Sequence, residues 1–249
     1  MTSQEMRRNE DIGFLFVSGA GLRGSIWTEV TDGLEAPALA ADYPLRDGPA
    51  AERLRLGLAD YAAHVRKQAE AWRVRRMVVV AHSIGGVAAL PAAAALAERG
   101  RLAGLAAVGA AIPREGGSWL SALPMPKRAV ASALMRLFGT KPPAAAIRAG
   151  LCDGLGEAQT EAVASGFVPE ARRLYTEPCR AAVPPVPSVY IKLTRDKEFD
   201  PRLQDRMIAN LSPGRVAALE AGHLPMLSDP EGLRAILNSF RAELAEAEL

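Results

Sequence analysis

The sequence predicts an α/β fold, a doubly wound and mostly parallel sheet with a helical cap inserted in mid-chain. Short apolar strands alternate with longer helical segments, which is typical of a parallel sheet covered on both faces by helices. The alternation is interrupted once, from Pro113 to Val183, by a stretch with large apolar residues that need a surface to pack on. We therefore expect residues 1–112 and 184–249 to form the core and residues 113–183 to form the cap.

The first part of the core is predicted to alternate strands with helices. The strand that contains Val78 is apolar throughout, as expected where both faces of a sheet are buried. The helix after the second strand carries apolar residues at helical spacing, with charges between them. The predicted strands are Gly13–Gly19, the weaker Pro37–Tyr43, Arg76–Ser83 and Leu105–Ile112, and the predicted helices are Ala51–Arg73 and Ile84–Arg99.

The cap is predicted to contain three helical pieces and to end at the prolines of PPVP, because consecutive prolines cannot continue a helix. The core alternation then resumes and finishes with a helix that carries one apolar stripe. The helical pieces are Lys127–Phe138, Ala144–Leu151 and Glu157–Ser165; the later core elements are strand Ser188–Thr194, helix Pro201–Leu211, strand Arg215–Glu220 and the helix with Leu233, Ile236, Leu237, Phe240 and Leu244.

Composition narrows the classes of function. The 249 residues carry a formal net charge of only +2, and the charges form mixed clusters, which argues against nucleic acid as a partner. Apolar stretches fall short of the ~20 residues that span a bilayer, and the polar start MTSQEMRRNED has no apolar signal segment behind it. We expect a cytoplasmic protein without a membrane partner, in which Cys152 and Cys179 are reduced, structural residues.

The stretch VVVAHSIGG, Val78 to Gly86, carries a candidate nucleophile. A buried strand runs into Ser83 and then into a helix, a turn that would project the hydroxyl above the sheet edge. Small neighbours are required there, although Ala81 stands where the usual G-x-S-x-G pattern has its first glycine. Taken alone, Ser83 could equally be a serine that caps the helix.

A serine nucleophile needs a base and a group that orients the base. His64 lies within an amphipathic helix and is predicted to be a surface residue, whereas His82 points away from Ser83 and is predicted to be a packing residue. His223 follows the strand over 215–220, in the loop E-A-G-H-L-P-M. Because the carboxyl ends of parallel strands meet at one edge of the sheet, His223 is the candidate base.

Asp196 follows the strand over 188–194 and is the candidate orienting acid. The rival is Asp200, which stands beside Pro201 and would serve as the N-cap of the next helix. We therefore favour the chain order Ser83, Asp196, His223, with each residue placed just after a strand.

The loop after the first strand, Val17–Trp27, is expected to supply the backbone N–H of Ala20 as an oxyanion donor beside that of Ile84. Gly19 to Gly24 also fits G-x-G-x-x-G, with Asp42 in the place of the ribose-binding acid of a dinucleotide site. The stretch after Gly24 is too short and too β-branched for the required helix, so the nucleotide interpretation is the weaker one.

Across about residues 12–112 and 184–247 the chain resembles the α/β-hydrolases. The run TRDKEFDPRLQDRMIANLSPGRVAALEAGHLPMLSDPEGL is similar to the branch of plant methylesterases, hydroxynitrile lyases and small bacterial esterases. The resemblance implies that Ser83 is the nucleophile, His223 the base and then the acid, and Asp196 its orienting carboxylate.

The chain departs from that branch in two respects. The family usually has His-Gly in the first oxyanion loop, where this chain has Ser18-Gly19. The lyases carry a lysine after the catalytic histidine and a threonine in the oxyanion loop, where this chain has Leu224 and Gly19, so the resemblance favours esterase chemistry.

We predict a serine hydrolase that cleaves a small-molecule, largely apolar ester through a seryl acyl-enzyme, without cofactor or metal. Its pocket is expected to be uncharged. A ligand-binding protein on the same scaffold, and acyl transfer, amide or C–C hydrolysis by the same three residues, remain alternatives. The residues expected to line the pocket are Gly19, Trp119, Leu123, Phe138, Phe167, Leu224 and Met226.

Overall fold

A six-stranded parallel sheet forms the centre of the computed structural model, which describes residues 12–247. Its strand order is β2-β1-β3-β4-β5-β6, and every neighbouring pair is parallel. The predicted doubly wound parallel sheet is thereby confirmed. The strands are β1 (Ile12–Val17), β2 (Ala38–Ala41), β3 (Arg76–His82), β4 (Leu102–Val108), β5 (Ser188–Leu193) and β6 (Arg215–Leu219).

Helices connect the strands and cover both faces of the sheet. Between β1 and β4 these are a 3-10 turn (Gly24–Trp27), α1 (Thr28–Thr31), α2 (Ala50–Arg53), α3 (Leu58–Ala71) and α4 (Gly85–Glu98). Between β4 and β5 lie α5 (Trp119–Ala122), α6 (Met125–Phe138), α7 (Ala144–Ala146), a π-helical turn (Ile147–Leu151), α8 (Glu157–Gly166) and α9 (Arg172–Thr176). The last helices are α10 (Pro201–Leu211), α11 (Pro225–Ser228) and α12 (Pro230–Glu246).

Alternate residues of the central strands enter two separate cores. Leu15 of β1 and Val79 of β3 pack on the side of α3 and α4, whereas Phe16 and Val80 pack on the side of α12. All of these side chains are fully buried. A strand with apolar side chains on both faces therefore has a core on each side, as its sequence predicts.

Some predicted elements have different bounds. The single helix expected over Ala51–Arg73 is two helices, because Gly57 is extended (φ −100°, ψ 168°) and α3 begins after it. β4 ends at Val108 because Gly109 adopts a positive φ of 47°, so the last residues of the expected strand leave the sheet while staying buried. Of the expected helix Ala144–Leu151, only the first three residues are α-helical.

The residues between β4 and β5 contribute to both cores: Ala122 and Leu174 are buried on the α4 side, and Val163 and Phe167 on the α12 side. Contacts within this segment add to the packing. The rings of Trp119 and Tyr175 meet edge to face with centroids 5.3 Å apart. By contrast, α6 has no buried residue, and several of its large apolar side chains are exposed. Between residues 12 and 247, no helix combines the length and apolar character needed to cross a bilayer.

Candidate active site

The turn between β3 and α4 holds Ser83 in a left-handed conformation, with φ +55°. A positive φ raises the conformational energy of a residue that has a side chain, so contacts with neighbouring residues must stabilise this backbone conformation. The carbonyl of Ser83 accepts the N–H of Ala111 at 2.8 Å. A Cβ at Gly85 would lie 2.5 Å from the Ser18 carbonyl oxygen, and one at Gly86 would lie 2.3 Å from that of Ala111. Close packing against these backbone atoms therefore requires glycine at both positions. At position 81, where the usual pattern has glycine, the alanine side chain is fully buried.

Ser83, His223 and Asp196 form a continuous chain of hydrogen bonds at the carboxyl edge of the sheet. Ser83 Oγ lies 2.9 Å from His223 Nε2, and His223 Nδ1 lies 2.7 Å from Asp196 Oδ2. A carboxylate can only accept, so His223 Nδ1–H donates to Asp196, and Nε2 is left to accept the serine hydroxyl. The other oxygen, Asp196 Oδ1, accepts the N–H groups of Glu198 and Phe199 at 2.8 and 2.9 Å.

The environment of His223 sets its protonation. Burial favours the neutral imidazole and would lower the pKa of His223, but the Asp196 carboxylate, with Glu198 adding to it, raises that pKa above its ordinary value of 6.5. Its side chain is 3% exposed and that of Asp196 is 0% exposed, so water does not screen the pair. An imidazolium formed by proton transfer from Ser83 would therefore be stabilised in place.

The rival acid does not contact the histidine. Asp200 Oδ1 accepts the N–H of Leu203 at 3.0 Å, which caps α10, and Oδ2 pairs with Lys127 of α6. Its pKa is lowered first by the hydrogen bond from Lys127. The structure thus gives Asp200 the capping position that its sequence context predicts.

The other histidines lie outside the hydrogen-bonded chain. His64 is half-buried on α3. His82 is fully buried beneath the site, where its Nε2–H donates to the carbonyl oxygen of His223 at 2.8 Å. Burial, followed by the charge of His223, lowers the pKa of His82 to about 3, so this imidazole stays neutral.

The loop after β1 lies against Ser83. A Cβ at Gly19 would be 3.0 Å from Ser83 Cβ and from His82 Nδ1, so a larger residue here would have to displace one of these side chains by a few tenths of an ångström. Ser18, where the family usually has histidine, is anchored: its hydroxyl accepts the Trp27 Nε1–H at 2.9 Å, and its carbonyl accepts the Tyr43 hydroxyl at 2.7 Å.

The N–H groups of Ala20 and Ile84 make no hydrogen bond to other groups among the residues that the structure describes. Both therefore remain able to donate to an oxyanion beside Ser83. Gly24 is bonded instead, since its N–H donates to Asp42 Oδ1 at 2.7 Å. Asp42 thus bonds to the loop itself. The helix that follows the loop, α1, has only four residues, whereas a dinucleotide site needs a long helix there.

A cavity of about 340 Å³ opens above Ser83 and His223. Of the residues predicted to line it, Gly19, Trp119, Phe138 and Phe167 do so. Side chains that the sequence did not point to complete the wall: Leu22, Ala131, Leu134, Met135, Ile147, Leu151, Tyr175 and Phe199. Three of them, Ala131, Leu134 and Met135, share a helical spacing on α6 with the predicted Phe138, and this spacing is the signal that could have found them.

The predicted lining needs two corrections. Leu123, Leu224 and Met226 do not line the cavity. Leu123 packs in the core on the α4 side, and the others in the core on the α12 side, because α11 begins at Pro225 and turns them inward. The cavity is also not free of charge, since Lys141 and Glu198 contribute to its lining. Lys197, which follows Asp196 in the sequence, pairs with Asp153 at 2.8 Å and does not line the cavity.

Among the described residues, no group of three or more His, Cys, Asp or Glu side chains is arranged to hold a metal ion. Cys152 and Cys179 are buried, free thiols whose pKa values burial raises. They lie outside the cavity lining.

The sequence profile of the alpha/beta hydrolase family matches residues 14–236, and the chain belongs to that family of hydrolases. No curated protein sequence matches it. Among solved structures the chain is similar to an extracellular alpha/beta-hydrolase from a Paenibacillus species, which is described as sharing structural and functional homology with tobacco salicylic acid binding protein 2. The TM-score is 0.79 and the sequence identity is 16%, over 92% of this chain and 98% of that one.

Two further structures are similar to the chain over nearly their whole length. Polyneuridine aldehyde esterase gives a TM-score of 0.76 and 17% identity, over 93% of this chain and 100% of that one. A methylesterase from Arabidopsis gives 0.71 and 19% identity, over 93% and 99%. These proteins belong to the branch that the sequence resembles.

Proposed function

We propose that this hydrolase cleaves carboxylic esters through an acyl-enzyme on Ser83. The observation that carries the proposal is the hydrogen-bonded chain from Ser83 through His223 to Asp196 at the floor of a largely apolar cavity. A serine hydroxyl becomes nucleophilic when a positioned base takes its proton, and the third group keeps the base in the productive tautomer.

In the first half-reaction, Ser83 Oγ forms a bond to the ester carbonyl carbon while its proton passes to His223 Nε2. The carbonyl oxygen becomes an oxyanion that the N–H groups of Ala20 and Ile84 bind. The carbon–oxygen bond to the alcohol then breaks, and His223 gives its proton to that alcohol. In the second half-reaction His223 takes a proton from water, the hydroxide attacks the acyl carbon, and Ser83 leaves with the proton returned.

The cavity favours small esters with apolar groups on both sides of the scissile bond. Trp119, Phe138 and Phe167 offer aromatic and apolar contacts, and residues 113–183 would act as the cap over the substrate. A charged group placed among them would lose its hydration without a partner, at a cost of several kcal/mol. Only substrates that reach Lys141 or Glu198 would escape that cost.

The test compares Ser83→Ala with Ser212→Ala. Ser212 also has a positive φ, 47°, but it ends α10 away from the cavity, so it controls for the backbone conformation. We expect Ser83→Ala to lose hydrolysis of chromogenic short-chain esters and labelling by a fluorophosphonate, and Ser212→Ala to keep both. Ester hydrolysis within tenfold of wild type in Ser83→Ala would exclude Ser83 as the nucleophile.

The same three residues could serve amide hydrolysis, C–C hydrolysis or acyl transfer. Assays with the matched amide and with an added acceptor alcohol therefore belong beside the ester assay. An amide cleaved as fast as its ester would remove the preference for esters, and a protein that is labelled but turns nothing over would favour the ligand-binding alternative.

A further inference from the structure

We propose that Glu170 is a positioning residue that holds the oxyanion donor Ala20 in place, so that the segment between β4 and β5 helps to build the active site. This inference rests on the proposed function. Glu170 lies in the predicted cap, far from Ser83 in sequence, and its side chain is 0% exposed. A carboxylate buried so completely requires partners, and the partners that it has are specific.

One carboxylate oxygen of Glu170 reaches the oxyanion loop. Glu170 Oε1 accepts the N–H of Gly21 at 3.1 Å, across 149 residues of sequence. That N–H belongs to the peptide that joins Ala20 to Gly21, so fixing it fixes the plane next to the proposed oxyanion donor. The N–H of Ala20 itself remains without a protein partner among residues 12–247, as a donor to substrate requires.

The same glycine is held from its other side. The Gly21 carbonyl accepts the N–H of Val168 at 3.0 Å. Gly21 has a φ of +79°, and a Cβ there would lie 2.3 Å from the Phe167 ring. Residues 167–170 of the predicted cap therefore contact both peptide groups of Gly21, and the absence of a side chain at Gly21 permits this contact.

Two further side chains, Arg46 and Tyr61, contact the Glu170 carboxylate. Arg46 Nη2 lies 2.7 Å from Glu170 Oε1 and also donates to the carbonyl of Leu22, at 2.6 Å. The Tyr61 hydroxyl donates to Oε2 at 3.1 Å and accepts the N–H of Ala171 at 2.9 Å. The Glu170–Arg46 pair thus binds two successive residues of the oxyanion loop, Gly21 and Leu22.

Glu177 provides a matched control in the same segment. Its Oε2 accepts the N–H of Leu58 at 2.7 Å, so it too ties the segment to the core through a backbone group. Leu58 begins α3 and does not line the cavity. Glu177 is 27% exposed whereas Glu170 is fully buried, so the two variants can differ in stability. If Glu170 only tied the segment to the core, neither variant would lose kcat selectively in the folded protein.

The experiment measures kcat and KM for a short-chain ester, the rate of fluorophosphonate labelling and the amide exchange of Gly21 by NMR. The variants are Glu170→Gln, Glu170→Asp and Glu177→Gln, all in the full chain. Glu170→Asp keeps the charge beside Arg46 but is one methylene shorter, so it remains informative if Glu170→Gln fails to fold.

We expect the Glu170 variants to lose at least about tenfold in kcat and in labelling rate, with KM within about threefold, because a displaced oxyanion donor weakens only the transition state. Exchange at Gly21 should accelerate. Glu177→Gln should keep kcat within about twofold.

Equal kcat in the Glu170 and Glu177 variants, a loss confined to KM, or unchanged exchange at Gly21 would overturn the proposal while leaving the ester hydrolase intact. A wild-type protein that is as inert as Ser83→Ala would overturn the proposed function, and this inference with it.

Discussion

Replacing Asp196 by Asn should invert the tautomer of His223. The oxygen Oδ1 accepts two backbone N–H groups, from Glu198 and Phe199, so an asparagine must place its carbonyl oxygen there. Its NH2 group then faces His223 Nδ1, at the position from which Oδ2 now accepts at 2.7 Å. A donor at this position forces the proton onto Nε2, which can no longer take the proton of Ser83.

The expected loss is about 10⁴-fold in kcat, equivalent to about 5.4 kcal/mol of transition-state stabilisation. The assay is the steady-state hydrolysis of a chromogenic short-chain ester, with Asp200→Asn as the control. Asp200 caps α10 and pairs with Lys127, so its variant should keep kcat within about threefold. A loss below tenfold in Asp196→Asn, or a larger loss in Asp200→Asn, would refute this assignment of the acid.

Further predictions concern pH, charge and stability. Because only neutral His223 accepts a proton, kcat/KM should rise with pH through a midpoint above 6.5, the direction in which Asp196 and Glu198 move this pKa; a midpoint below 6.5 contradicts it. Glu198→Gln should lower that midpoint, as a pH profile will show, since it removes one of the charges that raise the pKa. A neutral diester should turn over faster than its half-ester carboxylate, and the reverse ranking would assign Lys141 to substrate binding. Leu237→Ala should lower the free energy of unfolding by about 2–5 kcal/mol, measured by denaturant titration, because Leu237 is fully buried on the α12 side of the sheet. The kcat of this variant should not change, and a loss of kcat would show that packing in this core affects the geometry of the site.

Much of the fold and the placement of the three central residues could be predicted from sequence, because both follow from local patterns. The apolar β3 strand, the small residues after Ser83 and the position of each polar residue just after a strand put Ser83, Asp196 and His223 at one sheet edge. In the structure the three side chains are within hydrogen-bond distance: 2.9 Å from Ser83 Oγ to His223 Nε2 and 2.7 Å from His223 Nδ1 to Asp196 Oδ2.

The cavity wall was harder to predict because it depends on how helices pack. Leu224 and Met226 stand next to His223 in sequence, yet the start of α11 turns them into the core. One face of α6, with Ala131, Leu134, Met135 and Phe138, lines the cavity instead. The position of this face depends on how the segment between β4 and β5 packs, which has no local sequence pattern. The Glu170–Gly21 contact spans 149 residues and has no local sequence pattern.

The most direct test of the account is the mass of the protein quenched in acid during the first turnovers of a slowly deacylated ester. We expect a single added acyl group, and fragmentation should locate it on Ser83, in the peptide that contains VVVAHSIGG. Rapid turnover of the ester with no acyl group on Ser83, or with the group on another residue, would contradict the central claim.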